Sequence, residues 1–155
     1  MDLGDLITPE GVIPSLRAQS KKQLLQEIAL HASKLTNMDQ RKVFDTRLQR
    51  ERLGSTGIGQ GIAIPHGKLP NIENIICLFV RLDQPIEFES IDDQPVDLIF
   101  LLLAPEGAGA DHLKALARIS RLLREPAAIE KLRTSENSSS LFAILTEPVA
   151  SHHAA

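Results

Sequence analysis

Tryptophan and tyrosine are absent from this 155-residue chain and phenylalanine occurs only five times, so aliphatic side chains have to fill the core. Cysteine occurs once, at Cys77, which excludes an internal disulfide and any C-x-x-C metal or redox pair. Its setting, Ile75-Ile76-Cys77-Leu78-Phe79-Val80, makes it a small hydrophobe of a strand. A basic patch is also missing. The 17 Lys and Arg against 20 Asp and Glu give a formal charge of −3, and the two signs are interspersed, which speaks against nucleic acid as a partner. The longest apolar run, Leu98 to Ala104, falls far short of the ~20 residues of a membrane helix. The amino-terminus has no basic-then-apolar leader. A soluble cytoplasmic protein of one domain, without membrane insertion, is the expectation.

The patterns that are present alternate between strand and helix. Turn residues surround a short strand near Val12 to Leu16, and Ser20 is placed to cap a helix over Lys21 to Leu35, where Leu24, Leu25, Ile28, Ala29 and Ala32 recur at helical spacing. His31 within it reads as an incidental boundary residue. A second helix is expected from Gln40 to about Arg52, with Val43, Phe44 and Leu48 inward and Gly54 as its stop. Three strands follow, Ile62 to Ile64, Ile75 to Leu82 and Val96 to Leu103. The last is apolar almost throughout, as suits a strand covered on both faces. A helix over Asp111 to Arg124 is expected to turn Leu113, Leu116, Ala117, Ser120 and Leu123 inward and to gather Arg118, Arg121 and Arg124 toward its end. Shorter helices over Pro126 to Leu132 and Leu141 to Leu145 complete the chain. The fold class expected is α/β: a single domain with a central mixed β-sheet flanked by helices on both faces.

The candidate functional stretch runs from Arg50 to Lys68 and contains Gly57, Gly59 and Gly61 at alternate positions, then Ile62-Ala63-Ile64 and Pro65-His66-Gly67. Such a backbone bends, extends and bends again, and His66 stands where the extension ends. A dinucleotide fingerprint from Gly57 needs glycine where Ile62 stands and a helix where Pro65 follows. A P-loop needs Ser or Thr where Leu69 stands. The residues themselves leave two readings. In one, His66 is incidental to a tight turn. In the other, a neutral imidazole nitrogen is a nucleophile near pH 7, and uncovered amides with Arg50, Ser55, Thr56 and Gly57 stabilise the charge of a phosphoryl group moving onto it. His112, in the first turn of its helix, either covers the helix end or helps hold an anion there.

The run Gly54-Ser55-Thr56-Gly57-Ile58-Gly59-Gln60-Gly61-Ile62-Ala63-Ile64-Pro65-His66-Gly67-Lys68-Leu69 resembles the active-site signature of the enzyme IIA proteins of the bacterial phosphotransferase system, fructose/mannitol class. The likeness continues through Pro85 to Phe88, Asp92 to Asp97, Phe100 to Pro105 and Asp111 to Leu113. Within that class it is similar to the nitrogen-related branch of stand-alone regulatory proteins. The resemblance implies a phosphotransferase acting as a phosphohistidine carrier, with His66 accepting the phosphoryl group on Nε2 and His112 and Arg50 beside it. It implies a IIA domain over residues 1–148; the tail over 149–155 reads as flexible, no metal-ligand set is evident in the sequence, and no cofactor is expected. The implied partners are a histidine-phosphorylated carrier protein (HPr-like) and regulatory target proteins. The alternatives are a IIA component of a fructose- or mannitol-type sugar permease, passing phosphate to a IIB cysteine, and a binding module that never takes covalent phosphate. A chain without a fused IIB or carrier segment is expected to belong to the regulatory branch.

Overall fold

Two strands at the centre of the molecule are apolar on both faces because both faces are covered. They are β5 (Ile76–Ile86) and β6 (Val96–Pro105), paired antiparallel with Phe79 opposite Phe100. Side chains alternate across a strand, so Leu78, Val80, Ile99, Leu101 and Leu103 enter one core and Cys77, Phe79, Leu98, Phe100 and Leu102 the other. The computed structural model describes residues 2–70 and 72–147, apart from the side chains at 47–49 and 51–53. The side chain of Leu48 is therefore not described, and the tail 149–155 with His152 and His153 lies outside the described residues.

On one side β5 takes β1 (Val12–Leu16) in parallel. On the other, β6 pairs in parallel with β3 (Ile62–Ala63) and again with β4 (His66–Leu69), while β2 (Gly57–Gly59) closes an antiparallel hairpin onto β3. The sheet is mixed, ordered β1-β5-β6-β3-β2, with β4 also on β6. Helices α1 (Lys21–Thr36) and α2 (Gln40–Leu53) cover one face, while α3 (Ala110–Leu123), α4 (Pro126–Thr134) and α5 (Ser138–Leu145) cover the other. The expected α/β class, mixed sheet and two-sided helical cover are all observed.

Local chemistry explains the boundaries. Ser20 accepts the Gln23 N–H as the expected cap of α1, and Asn37 ends that helix in the left-handed region at φ 58°. Pro126 opens α4 at a position where no backbone donor is needed. Arg81 of β5 ties α4 to the sheet: its Nε donates to the Pro14 carbonyl at 2.9 Å and its Nη1 to the carbonyls of Leu132 at 2.9 Å and Ser135 at 2.5 Å. The Leu132 and Ser135 carbonyls are acceptors at the end of α4, where a cation is favoured, while the Pro14 carbonyl belongs to β1. His31 is half-buried; desolvation foremost, and then Lys34, lower its pKa, against an opposing pull from Glu27.

Two expectations are corrected. Pairing reaches further than composition showed: β2 and β4 were not expected as strands, and β5 runs on to Ile86. The inner face of α3 is turned by one residue, or about 100°. Of the expected inner residues Leu123 is buried and Leu116 packs partly against the core, but Leu113 is 66% exposed and Ala117 is exposed, whereas Ala115, Ile119 and Leu122 are buried. Each stripe offers enough apolar side chains, and packing against β6 and the 3-10 turn Leu3–Asp5 decides between them. Arg118 goes inward with this rotation and is 6% exposed. Burial lowers its pKa, with the charge of Asp2 acting in the opposite sense.

Candidate active site

The glycine-rich run folds as the β2–β3 hairpin. Gln60 and Gly61 form its two-residue turn, both at positive φ (59° and 80°), as the right-handed twist of the flanking strands requires. The turn is held from two sides. Asp92 Oδ2 accepts the Gln60 N–H at 2.9 Å, while Arg133 Nη2 donates to the Gln60 carbonyl at 2.5 Å and the same guanidinium grips Asp97 through two nitrogens at 3.0 Å. The amides of Gln60 and Gln94 hold the Asp92 carboxyl below its ordinary pKa, since they bond to its ionised form. Gly57 is a question of space, because a Cβ there would lie 3.0 Å from Ser90 Cα.

Pairing of this segment with β6 stops after Ala63 and resumes at His66. In the gap the Ile64 N–H turns to the Thr56 carbonyl at 3.0 Å, and the Pro65 carbonyl accepts the Leu102 N–H at 2.9 Å. The Ile64 carbonyl meets Nδ1 of His66 at 2.7 Å. A carbonyl oxygen only accepts, so Nδ1 carries the proton and, in the neutral ring, Nε2 carries the lone pair. His112, third residue of α3, brings its ring to 5.8 Å from that of His66, centroid to centroid, with the planes tilted by 43°. Both histidines are half-buried.

The other candidate residues lie on the segment beside Ile64 to His66. Ser55 Oγ donates to the Phe88 carbonyl at 2.7 Å and accepts the Gly57 N–H at 3.1 Å, and Thr56 is buried. Arg50 Nη1 donates to the Gly54 carbonyl at 2.9 Å. That bond ties the end of α2 to the loop that leads into β2. The arrangement sets an imidazole of defined tautomer near a second imidazole, on a segment bonded to the loop that carries Ser55 and Thr56.

Sequence reasoning missed Asp92 and Arg133 as supports of this hairpin. An Asp in an Asp-Asp-Gln turn signals a bond to its own backbone, seen here to Gln94 N at 3.1 Å, but nothing local marks its partner Gln60. Arg133 is 73 residues from Gln60 in sequence. Among the described residues no group of three or more His, Cys, Asp or Glu is placed to hold a metal ion, and no helix is long and apolar enough to cross a membrane.

Residues 5–147 match the family described as phosphoenolpyruvate-dependent sugar phosphotransferase system, EIIA 2. A nitrogen regulatory protein of Bradyrhizobium diazoefficiens is 58% identical over 97% of this chain and 98% of its own. The crystal structure of nitrogen regulatory protein IIA-Ntr from Neisseria meningitidis superposes with a TM-score of 0.88 at 34% identity, covering 93% of this chain and 99% of that one. The mannitol enzyme IIA of Escherichia coli, solved in complex with phosphorylated mannitol IIB, shares the fold with a TM-score of 0.77 at 18% identity, over 92% of this chain and 100% of its own.

Proposed function

The chain belongs to the EIIA 2 family of the phosphoenolpyruvate-dependent sugar phosphotransferase system, and we propose that it is a cytoplasmic phosphocarrier of the nitrogen-related branch that accepts a phosphoryl group on Nε2 of His66. The observation that carries this reading is the bond from His66 Nδ1 to the Ile64 carbonyl, which leaves Nε2 as the lone-pair nitrogen. The donor is a phosphohistidine of a carrier protein. The Nε2 lone pair attacks phosphorus in line, the donor's P–N bond breaks, and the donor imidazole departs with the bonding pair. The proton on Nδ1 of His66 stays against the Ile64 carbonyl. Both reactants are imidazoles, so the transfer needs positioning and charge stabilisation more than acid or base chemistry.

The roles of the remaining residues follow from their places. Arg50, beside Gly54, stabilises charge on the equatorial oxygens. Ser55, Thr56 and Gly57 form the wall from which a hydroxyl and amides serve the same oxygens. His112, in the first turn of α3, adds a hydrogen bond at a helix end that favours anions. Phosphorylation adds about −1.5 to −2 charges to this rim, and regulatory target proteins read the difference. The test is intact mass after incubation with phosphoenolpyruvate, an enzyme I and a histidine-phosphorylated carrier. One acid-labile phosphoryl group is expected on the wild type and none on His66→Ala. Uptake by the Ala variant would overturn the assignment of the acceptor. A second reading, onward transfer to a IIB cysteine, draws on the fold shared with the mannitol IIA that was solved with its IIB. Discharge of the phosphorylated protein by a IIB domain checks it.

A further inference from the structure

Lys21 stands in the first turn of α1, where the helix dipole disfavours a cation, yet its side chain is only 17% exposed. Its Nζ lies 4.5 Å from the centroid of the Phe88 ring, 3.7 Å from Glu89 Oε1 and 3.5 Å from the Phe88 carbonyl oxygen. That same oxygen receives the Ser55 hydroxyl at 2.7 Å. Ser55 has one proton to give, and while Phe88 holds it no phosphoryl oxygen can receive it. A carbonyl oxygen, however, has two lone pairs, and a second donor already waits at the long end of hydrogen-bond distance.

We propose that Lys21 is a positioning residue for phosphoryl transfer, which takes over the Phe88 carbonyl when Ser55 turns its proton toward the phosphoryl group on His66. This rests on the reading of His66 as the acceptor. The exchange is local. The hydroxyl proton swings about the Cβ–Oγ bond, so Oγ stays in place and the Gly57 N–H keeps its acceptor at 3.1 Å. Phe88 is fully buried, so its carbonyl has little recourse to water, and leaving it without a donor would oppose the swing. Glu89 and the aromatic face of Phe88 keep the ammonium group on station before the exchange. The same placement accounts for a cation at the wrong end of α1.

The test is the initial rate of phosphorylation by a phosphohistidine carrier for the wild type, Lys21→Met, Lys21→Arg, Ser55→Ala and the double variant Lys21→Met with Ser55→Ala, each with a urea midpoint. Lys21→Met is expected to slow charging about tenfold, the worth of one hydrogen bond in the transition state. Lys21→Arg, which keeps a donor, recovers most of the rate. In the double variant the two losses do not multiply, because Lys21 acts only through Ser55. A Lys21→Met protein that charges at the wild-type rate, or losses that multiply in the double variant, overturns the role of Lys21 while leaving His66 as acceptor intact. Failure of the wild type itself to charge overturns the acceptor reading, and the role of Lys21 with it.

Discussion

Replacing Arg81 by Met tests whether one side chain of the central sheet joins β1 to the carboxyl end of α4. The substitution keeps an apolar stem but removes donors at 2.9 Å from Pro14, 2.9 Å from Leu132 and 2.5 Å from Ser135 carbonyls. Hydrogen bonds from a charged donor contribute about 1.5–3 kcal/mol each when well shielded. Arg81 is only half-buried, and water can replace part of what it gives, so about 1 kcal/mol per bond is the better figure. The sum is a loss of about 3 kcal/mol. For a chain of this size each kcal/mol moves the melting temperature by ~2–4 °C, which gives a fall of roughly 6–12 °C. Urea unfolding followed by far-ultraviolet circular dichroism reads the free energy, and the slope checks that the unfolded state has not changed. A loss under about 0.5 kcal/mol at unchanged slope, the level of an ordinary surface substitution, would refute the idea that Arg81 caps α4.

Three further outcomes are expected. Burial pushes the Cys77 thiol up to about 12, so a thiol reagent at pH 8 leaves the folded protein unmodified and reacts with one group in urea. Asp92 has its carboxyl pKa lowered in the fold by the Gln60 and Gln94 amides, so its contribution is present above the ordinary value of 3.8 and lost as pH falls through the lower folded value. Asp92→Asn should therefore flatten the acid limb of the stability profile, and an unchanged limb in acid titrations would count against the bond. Gly57→Ala sets a Cβ 3.0 Å from Ser90 Cα and should cost about 1–3 kcal/mol through overpacking, read as a lower urea midpoint.

How far the sequence could be read depended on whether a signal was local. The apolar runs of β5 and β6 are legible because burial on both faces leaves no polar position to confuse them. Ser20 is legible as a cap because its partner, the Gln23 N–H, is three residues away. β4 is not, since His66-Gly67-Lys68-Leu69 has no strand composition and owes its extension to pairing with Leu102 to Pro105. The phase of α3 was misread because two neighbouring stripes are both apolar, and only the surface beneath the helix chooses. For the site, the glycines and the place of His66 could be seen in the chain. The approach of His112 to 5.8 Å was implied by family resemblance and could not be obtained from spacing. The Ile64 carbonyl was illegible, because its availability arises from the interruption between β3 and β4.

That interruption has a consequence for direction. A histidine side chain ordinarily turns about two bonds, and a group carried on its far nitrogen would sweep a wide arc of solvent. Here the near nitrogen is moored 2.7 Å from the Ile64 carbonyl in the gap between β3 and β4, and both of those strands are stitched to β6. Nε2 would point along one bearing with or without a group bound to it. An approaching partner would meet it from one side only, with no rotamer search between collision and transfer.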